Sequence, residues 1–401
     1  MSAISTLHGT LRRIPGGVWK LGFVSLLMDV SSEMIHSLLP LFMVSVLGAN
    51  VLQVGLIEGI AESVTLLIKV FSGAFSDYLG RRKELAVLGY GLSALAKPLF
   101  ALAGGLGLVF AARCIDRVGK GIRGAPRDAM LADLTPPELR GAAYGLRQAL
   151  DTLGAFLGPL LATALVLLWA DDFRSIFWMA AIPAMFAVFL LQVGVEEQGA
   201  PPALRANPLA RSRLRQLPAD FWWVVATGAL FTLARFSEAF LILRINQFGL
   251  PLKLIPLVLV LMNLVYALSA YPFGWLSDRM DHRLLLALGM AVLILADVLL
   301  GSASHRAVAL LGVALWGLHM GMTQGLLASM VAATSPANLR GTAFGLFNLV
   351  SGVAMLIASA GAGFAWQFWG AATAFYIAAG FSAAGLLALL LSVLRRRPES
   401  P

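Results

Sequence analysis

Polar and apolar positions in this chain do not alternate; they fall into blocks. Long apolar runs such as Trp19 to Leu47 and Ala372 to Leu394 are separated by short polar segments. About 20 apolar residues suffice for a helix to cross the hydrocarbon core of a bilayer. The block pattern predicts twelve helices, at roughly 18–47, 52–76, 84–104, 107–132, 141–168, 174–194, 219–248, 255–276, 283–303, 307–332, 340–366 and 370–394. They must be helical because backbone polar groups find no partner in lipid. Period-two alternation is absent, which excludes a β-barrel.

The polar connections set an orientation. With the N-terminus inside, Arg81, Arg82, Lys83, Arg140, Arg205, Arg211, Arg279, Arg283, Arg340 and the Arg395-Arg396-Arg397 tail are all cytoplasmic, while the opposite loops carry only Arg174, Lys253 and Arg306. That asymmetry is the positive-inside signature, and it predicts cytoplasmic termini in a cell inner membrane. The one long polar connection lies mid-chain. It divides the sequence into a six-helix bundle over 1–195, a cytoplasmic linker over 196–218 and a second six-helix bundle over 219–401.

Composition sharpens the class. Hydrophobic residues make up 59% and charged residues 13% of the 401 positions, against roughly 25% charged in soluble domains. The net charge of +9 would suit nucleic acid, but the basic residues sit in the inter-block segments, so no nucleic-acid partner is expected. Cys114 is the only cysteine, so no intrachain disulfide or thiolate metal cluster forms. The first apolar block is too long for a cleaved signal and reads as a retained helix.

A repeat is the most informative feature. Thr135-Pro-Pro-Glu-Leu-Arg-Gly-Ala-Ala-Tyr-Gly-Leu146 recurs 200 residues later as Ser335-Pro-Ala-Asn-Leu-Arg-Gly-Thr-Ala-Phe-Gly-Leu346. At nearly the same offset, Gly73-Ala-Phe-Ser-Asp-Tyr-Leu-Gly-Arg-Arg82 pairs with Gly274-Trp-Leu-Ser-Asp-Arg-Met-Asp-His-Arg283. Six helices separate the copies, so the halves share one orientation. Parallel halves of this kind place a solute site between them, near the midplane.

On these residues the chain resembles the major facilitator superfamily over essentially its whole length. Gly73, Asp77, Gly80, Arg81, Arg82 and Leu85 match the family's loop motif between helices two and three, with Tyr78 where a basic residue is usual. The resemblance implies that this loop latches the cytoplasmic gate. The second copy keeps Gly274, Asp278 and Arg279 but has Asp281 in place of a glycine, implying a weaker latch. Gly145, Gly154, Gly158 and Pro159 follow the family's antiporter motif, whose closing glycine pair is here Ala162 and Thr163; the match implies export. Tight packing of small residues, without directional meaning, is the other reading. Arg117 and Gly121 are similar to the family's arginine-containing motif on helix four.

Charged residues inside the blocks supply the chemistry. Each costs about 2.5–3.5 kcal/mol at mid-bilayer on insertion scales, so it must line water or pair internally. Asp116, Lys120, Arg123 and Arg127 form one helical stripe, and Arg117 lies nearer the middle. Asp29, Glu33 and His36 share one face of helix one; its two carboxylates repel when both are ionised, and sharing a proton relieves this. Glu62 on helix two is a further proton carrier. Arg147 with Asp151, and Arg235 with Glu238, stand within hydrogen-bond reach along their helices. The arginines set cavity charge, while His36, Asn263, Tyr266, His319, Gln324 and Asn348 are polar residues placed to touch solute. His319 and Met322 share a face of a kind that soft metals use, but methionine is common helix filler and no metal is assigned.

No phosphate loop, nucleophile elbow or zinc pattern is present, so neither an enzyme nor a cofactor is expected. The sequence therefore predicts a monomeric secondary transporter of a small solute, coupled to protons and exporting by alternating access. The alternatives are a solute or metal-chelate importer of the same fold, or a non-transporting membrane sensor or scaffold.

Overall fold

The computed structural model describes residues 13–79, 81–169, 172–196, 216–277, 279–323, 325–336 and 339–395. Among these every regular element is helical. The first half holds α1 (Gly16–His36), α2 (Val51–Leu79), α3 (Arg82–Leu102), α4 (Leu106–Asp133), α5 (Arg140–Trp169) and α6 (Phe173–Gly194). The second holds α7 (Ala219–Leu233), α8 (Ala239–Asn246), α9 (Leu257–Ser277), α10 (His282–Ser302), α11 (Arg306–Thr323), α12 (Leu326–Thr334), α13 (Arg340–Trp369) and α14 (Ala371–Arg395).

Local chemistry fixes the helix starts. α2 begins with a reciprocal cap: the Asn50 amide donates to Gln53 Oε1 at 3.0 Å, and the Gln53 amide donates to Asn50 Oδ1 at 2.9 Å. Asp172 caps α6 by accepting the Arg174 and Ser175 amides, and Asp281 caps α10 by accepting that of Arg283. α1 runs on through Leu39–Leu41 into a wide π-helical turn, Phe42–Val46.

Ten helical stretches are long and apolar enough to cross a membrane among the described residues. Two of the twelve expected spans are not among them. α4 has the length, at 28 residues, but it carries too much charge. The expected helix at 219–248 is interrupted instead, with Ala234–Glu238 separating α7 from α8. The interruption is held by side chains: the Ser237 amide donates to Ser359 Oγ at 3.1 Å and Ser237 Oγ to Glu58 Oε2 at 3.3 Å. Side chains of this kind replace the backbone partners that a broken helix loses. The expected helix at 307–332 also breaks, at Gly325, whose φ of 81° is a left-handed conformation that a side chain would strain.

The chain forms two compact units, Met1–Leu39 with Leu67–Asn207, and Pro40–Leu66 with Pro208–Pro401. α2 thus contributes its first part to one unit and its last turns to the other. In the first unit Val18, Leu21, Val24 and Met28 of α1 pack against Tyr90 of α3 and Leu191 of α6. In the second, Phe221 and Val224 of α7 pack against Val331 of α12 and Ala343 of α13. Large apolar side chains such as Leu168, Phe186, Val193 and Leu268 are exposed. Charged ones, including Lys97, Arg113, Asp116 and Arg117, are buried. A surface of that kind suits lipid, and the protein is a multi-pass membrane protein.

Candidate functional site

The charged interior of the first unit is built by glycines. On α5, a Cβ at Gly154 would stand 2.8 Å from the Leu26 carbonyl and 3.0 Å from the Asp29 Cβ. One turn on, a Cβ at Gly158 would stand 2.6 Å from the Glu33 Cβ and 2.8 Å from the Val30 carbonyl. These two glycines let α5 reach the turn of α1 that carries both carboxylates, and Pro159 is buried beside them. Gly145 faces open space and does no such packing. A second close crossing, between Gly89 of α3 and Gly119 of α4, brings the α4 charges inward.

The charges answer one another in chains. Lys97 Nζ donates to Asp116 Oδ1 and to Ser32 Oγ, both at 2.9 Å, and the side chains of the pair are 1% and 4% exposed. At that burial neither charge is tolerable without its partner. Arg123 donates to Ser93 Oγ at 2.5 Å and lies over the Tyr90 ring at 4.7 Å. Arg127 donates to Asp128 at 3.1 Å and to Ser25 at 3.0 Å. Arg147 donates to Asp151 at 2.6 Å, the i,i+4 pair expected from sequence, and Asp151 Oδ2 also lies 3.9 Å from Arg127. Glu33 Oε2 stands 3.4 Å from His36 Nδ1. Asp29 is within electrostatic reach of Asp151, Lys120, Arg123 and Arg127. Eight basic residues (Lys69, Lys97, Arg113, Arg117, Lys120, Arg123, Arg127 and Arg147) thus gather with five carboxyl groups (Asp29, Glu33, Asp116, Asp128 and Asp151), so basic groups outnumber acidic ones.

The remaining sequence-predicted residues fall elsewhere. Glu62 is half-buried on the part of α2 that belongs to the second unit. There Arg235 lies over the Phe231 ring at 5.4 Å and within electrostatic reach of Glu238 and Tyr266. His319 is fully buried, edge-on to Trp316 at 5.4 Å and to Phe231 at 6.3 Å between ring centroids. Asn263 is buried on α9, and Asn348 half-buried on α13. Among the described residues no three His, Cys, Asp or Glu groups converge as a metal site. In the loop motif, Arg81 pairs with Glu84 at 3.3 Å and Arg82 with Asp133, while Gly274 and Arg279 are exposed. Gly80, Asp278 and Gln324, and the side-chain environments of Gly73 and Asp77, lie outside the described residues.

Sequence reasoning missed Lys97, which the structure makes the most deeply buried cation of the cluster. The signal was available, as a lone lysine inside an apolar block. It missed Asp297 as well, which sits at the repeat offset of 200 from Lys97 and is fully buried. Where Lys97 has Asp116, the position matching Asp116 in the second half is Trp316, and neither Asp297 carboxyl oxygen has a hydrogen-bond partner among the described residues.

Exposed large apolar side chains together with buried, mutually paired charges define a polytopic membrane protein. A profile described as Major Facilitator Superfamily matches residues 21–359 and 239–401. An uncharacterized MFS-type transporter of Methanocaldococcus jannaschii is 35% identical over 367 residues, 89% of this chain and 90% of that one. The multidrug resistance protein MdtH of Yersinia pestis is 30% identical over 178 residues, 44% of this chain and 42% of its own. Among solved structures, a POT family transporter in complex with a thioalcohol-conjugated peptide superposes with a TM-score of 0.80 at 14% identity, covering 97% of this chain and 100% of that one. The chain belongs to the Major Facilitator Superfamily and is a membrane transporter.

Proposed function

We propose that the protein is a secondary active transporter of a small solute, with twelve spans in two parallel six-helix bundles joined by a cytoplasmic linker. It acts as a monomer in the cell inner membrane with both termini cytoplasmic, and exchanges solute for protons by alternating access in the direction of export. The observation that carries this reading is the seating of Asp29 and Glu33 against Gly154 and Gly158, inside a cluster rich in basic groups. Two carboxylates one helical turn apart bind a proton more readily than two ions can coexist, and a change of their surroundings between states would exchange it. Asp29, Glu33 and Glu62 carry protons; Arg117, Arg147 and Arg235 set the charge met by the solute. The antiporter-like glycines and the partial likeness to a multidrug resistance protein support the outward direction. Asp77 and its repeat Asp278 act as cytoplasmic latches.

A second reading, uptake together with protons, draws support from the excess of basic groups in the same cluster. Protonating Asp29 or Glu33 there would raise the pull on an anion, so proton and anion would bind together.

Flux in proteoliposomes separates the two. With a pH-sensitive dye trapped inside and a pH gradient imposed, a panel of drugs and organic acids is added outside. Protons moving against the solute support export by exchange, and protons moving with it support uptake. Glu33→Gln should keep gradient-free exchange and lose the gradient response. A full response in both Glu33→Gln and Asp29→Asn would remove the proton role from this pair.

A further inference from the structure

Most basic side chains of the first unit's interior are engaged: Lys97 with Asp116, Arg123 with Ser93 and Tyr90, Arg127 with Asp128, and Arg147 with Asp151. Lys69 on α2 and Lys120 on α4 are not. Among the described residues neither ammonium has a hydrogen bond or a carboxylate at ion-pair distance; each acts on its surroundings only through longer-range charge. Both are exposed, although each lies well inside a long helix, Val51–Leu79 and Leu106–Asp133. An ammonium facing lipid at that depth costs several kcal/mol, so the space these two open onto is aqueous.

The geometry brings them to one surface. The Lys69 Cε lies 3.9 Å from where a Cβ on Gly124 would stand. Gly124 follows Lys120 by four residues, hence on the same face of α4 and one turn away. Glycine at that position leaves room beside the Lys69 stem. Two like charges are therefore held within each other's field; Asp128 acts on Lys69, and Lys120 on Asp29 and Glu33, only at longer range.

We propose that Lys69 and Lys120 form a two-point binding site for an oxyanion group, carboxylate or phosphoryl, of the transported solute. The site deepens the transport reading and rests on it, in that it assigns the solute an anionic class. A lysine ammonium is a compact point charge with three rotatable donors, suited to an oxyanion that must be released again.

The test is an equilibrium measurement that needs no gradient. Purified full-length protein in detergent is melted at fixed ionic strength in chloride, inorganic phosphate, sulfate or citrate. At least one oxyanion should raise the melting temperature above the chloride control. The concentration giving half the effect should rise about tenfold in Lys69→Gln and in Lys120→Gln, and much less in Lys69→Arg and Lys120→Arg, which keep the charge. In wild type, the same anion should slow acetylation of Lys69 and Lys120 by an amine-reactive ester, read by mass spectrometry; this arm stands even if a variant misfolds. An equal shift with chloride, no shift with any oxyanion, or an unchanged half-point in both glutamine variants overturns the site. Loss of oxyanion binding alongside intact proton-coupled flux would reject this site alone, whereas intact binding without proton-coupled flux would reject the coupling alone.

Discussion

Gly158 of α5 and Glu33 of α1 are packed back to back, so that a Cβ on the glycine would stand 2.6 Å from the Cβ of the glutamate. The glycine of a packing motif and a carboxylate proposed to carry protons are thereby a single mechanical unit. Whatever moves α5 along α1 changes the surroundings of Glu33.

Gly158→Ala should therefore force the two helices apart, because the added methyl also meets the Val30 carbonyl at 2.8 Å, which is backbone and cannot rotate away. Overpacking of this kind costs about 1–3 kcal/mol, read as a lower melting temperature in detergent. Gly145→Ala, from the same motif, has nothing within 4 Å and should be neutral or slightly stabilising, since alanine is the better helix former. Equal losses at both positions would mean that the seam is not what the motif supports.

Lys97→Met should destabilise the protein by about 3–5 kcal/mol, because it strands Asp116 as a buried unpaired carboxylate. The double variant Lys97→Met with Asp116→Leu should recover most of the loss. Asp297→Leu should go the other way and raise the melting temperature, by relieving about 1–3 kcal/mol of unmet hydrogen bonding at a fully buried carboxyl. A lower melting temperature for Asp297→Leu would reveal a partner that Asp297 needs.

Much of this arrangement was readable in advance. The membrane class followed from block lengths, and Arg147–Asp151 followed from i,i+4 spacing because both groups lie on one helix. Partners on different helices were not readable. Nothing in the sequence says that Lys97 meets Asp116, since that depends on the Gly89–Gly119 crossing. The interruption at Ala234–Glu238 was also hidden: its residues are acceptable in a helix, and Glu58 and Ser359, distant in sequence, hold it open. The stripe expected on α4 divided for the same reason, into a buried Asp116 and an exposed Lys120.

Asp172 gives a pH test outside the spans. As the cap of α6 it accepts the Arg174 amide at 3.1 Å and the Ser175 amide at 3.3 Å, and hydrogen bonding from Ser175 holds its carboxyl below the ordinary aspartate value of about 4. A carboxyl lowered by folding contributes stability above its unfolded value and loses it as pH falls through the folded one. Wild type should thus lose a small increment of melting temperature on acidification below about pH 4 that Asp172→Ala lacks. At neutral pH the variant should be about 1 kcal/mol less stable. Parallel melting curves across that range would remove the cap's contribution.

α4 is one of the two expected spans that lie outside the ten apolar stretches, the interrupted α7–α8 segment being the other. Its charges keep it from reading as apolar, yet at 28 residues it is about 42 Å long, enough to cross the bilayer. The charges also have somewhere to go, since Asp116, Arg123 and Arg127 all find partners inside the first unit. If α4 crosses, the α2–α3 connection, with Arg81 beside Arg82 at the start of α3, and the α4–α5 connection, followed by Arg140 at the start of α5, lie on one side, and these are the basic residues expected of cytoplasm. In a background carrying Cys114→Ser, single cysteines at Gly104, Glu138 and Asp172 should report by reaction with a membrane-impermeant thiol reagent in intact cells. Gly104→Cys and Asp172→Cys should label, and Glu138→Cys only after the membrane is opened. Labelling of Glu138→Cys from outside, together with Gly104→Cys, would make α4 a helix that does not span and would reverse the orientation of everything after it.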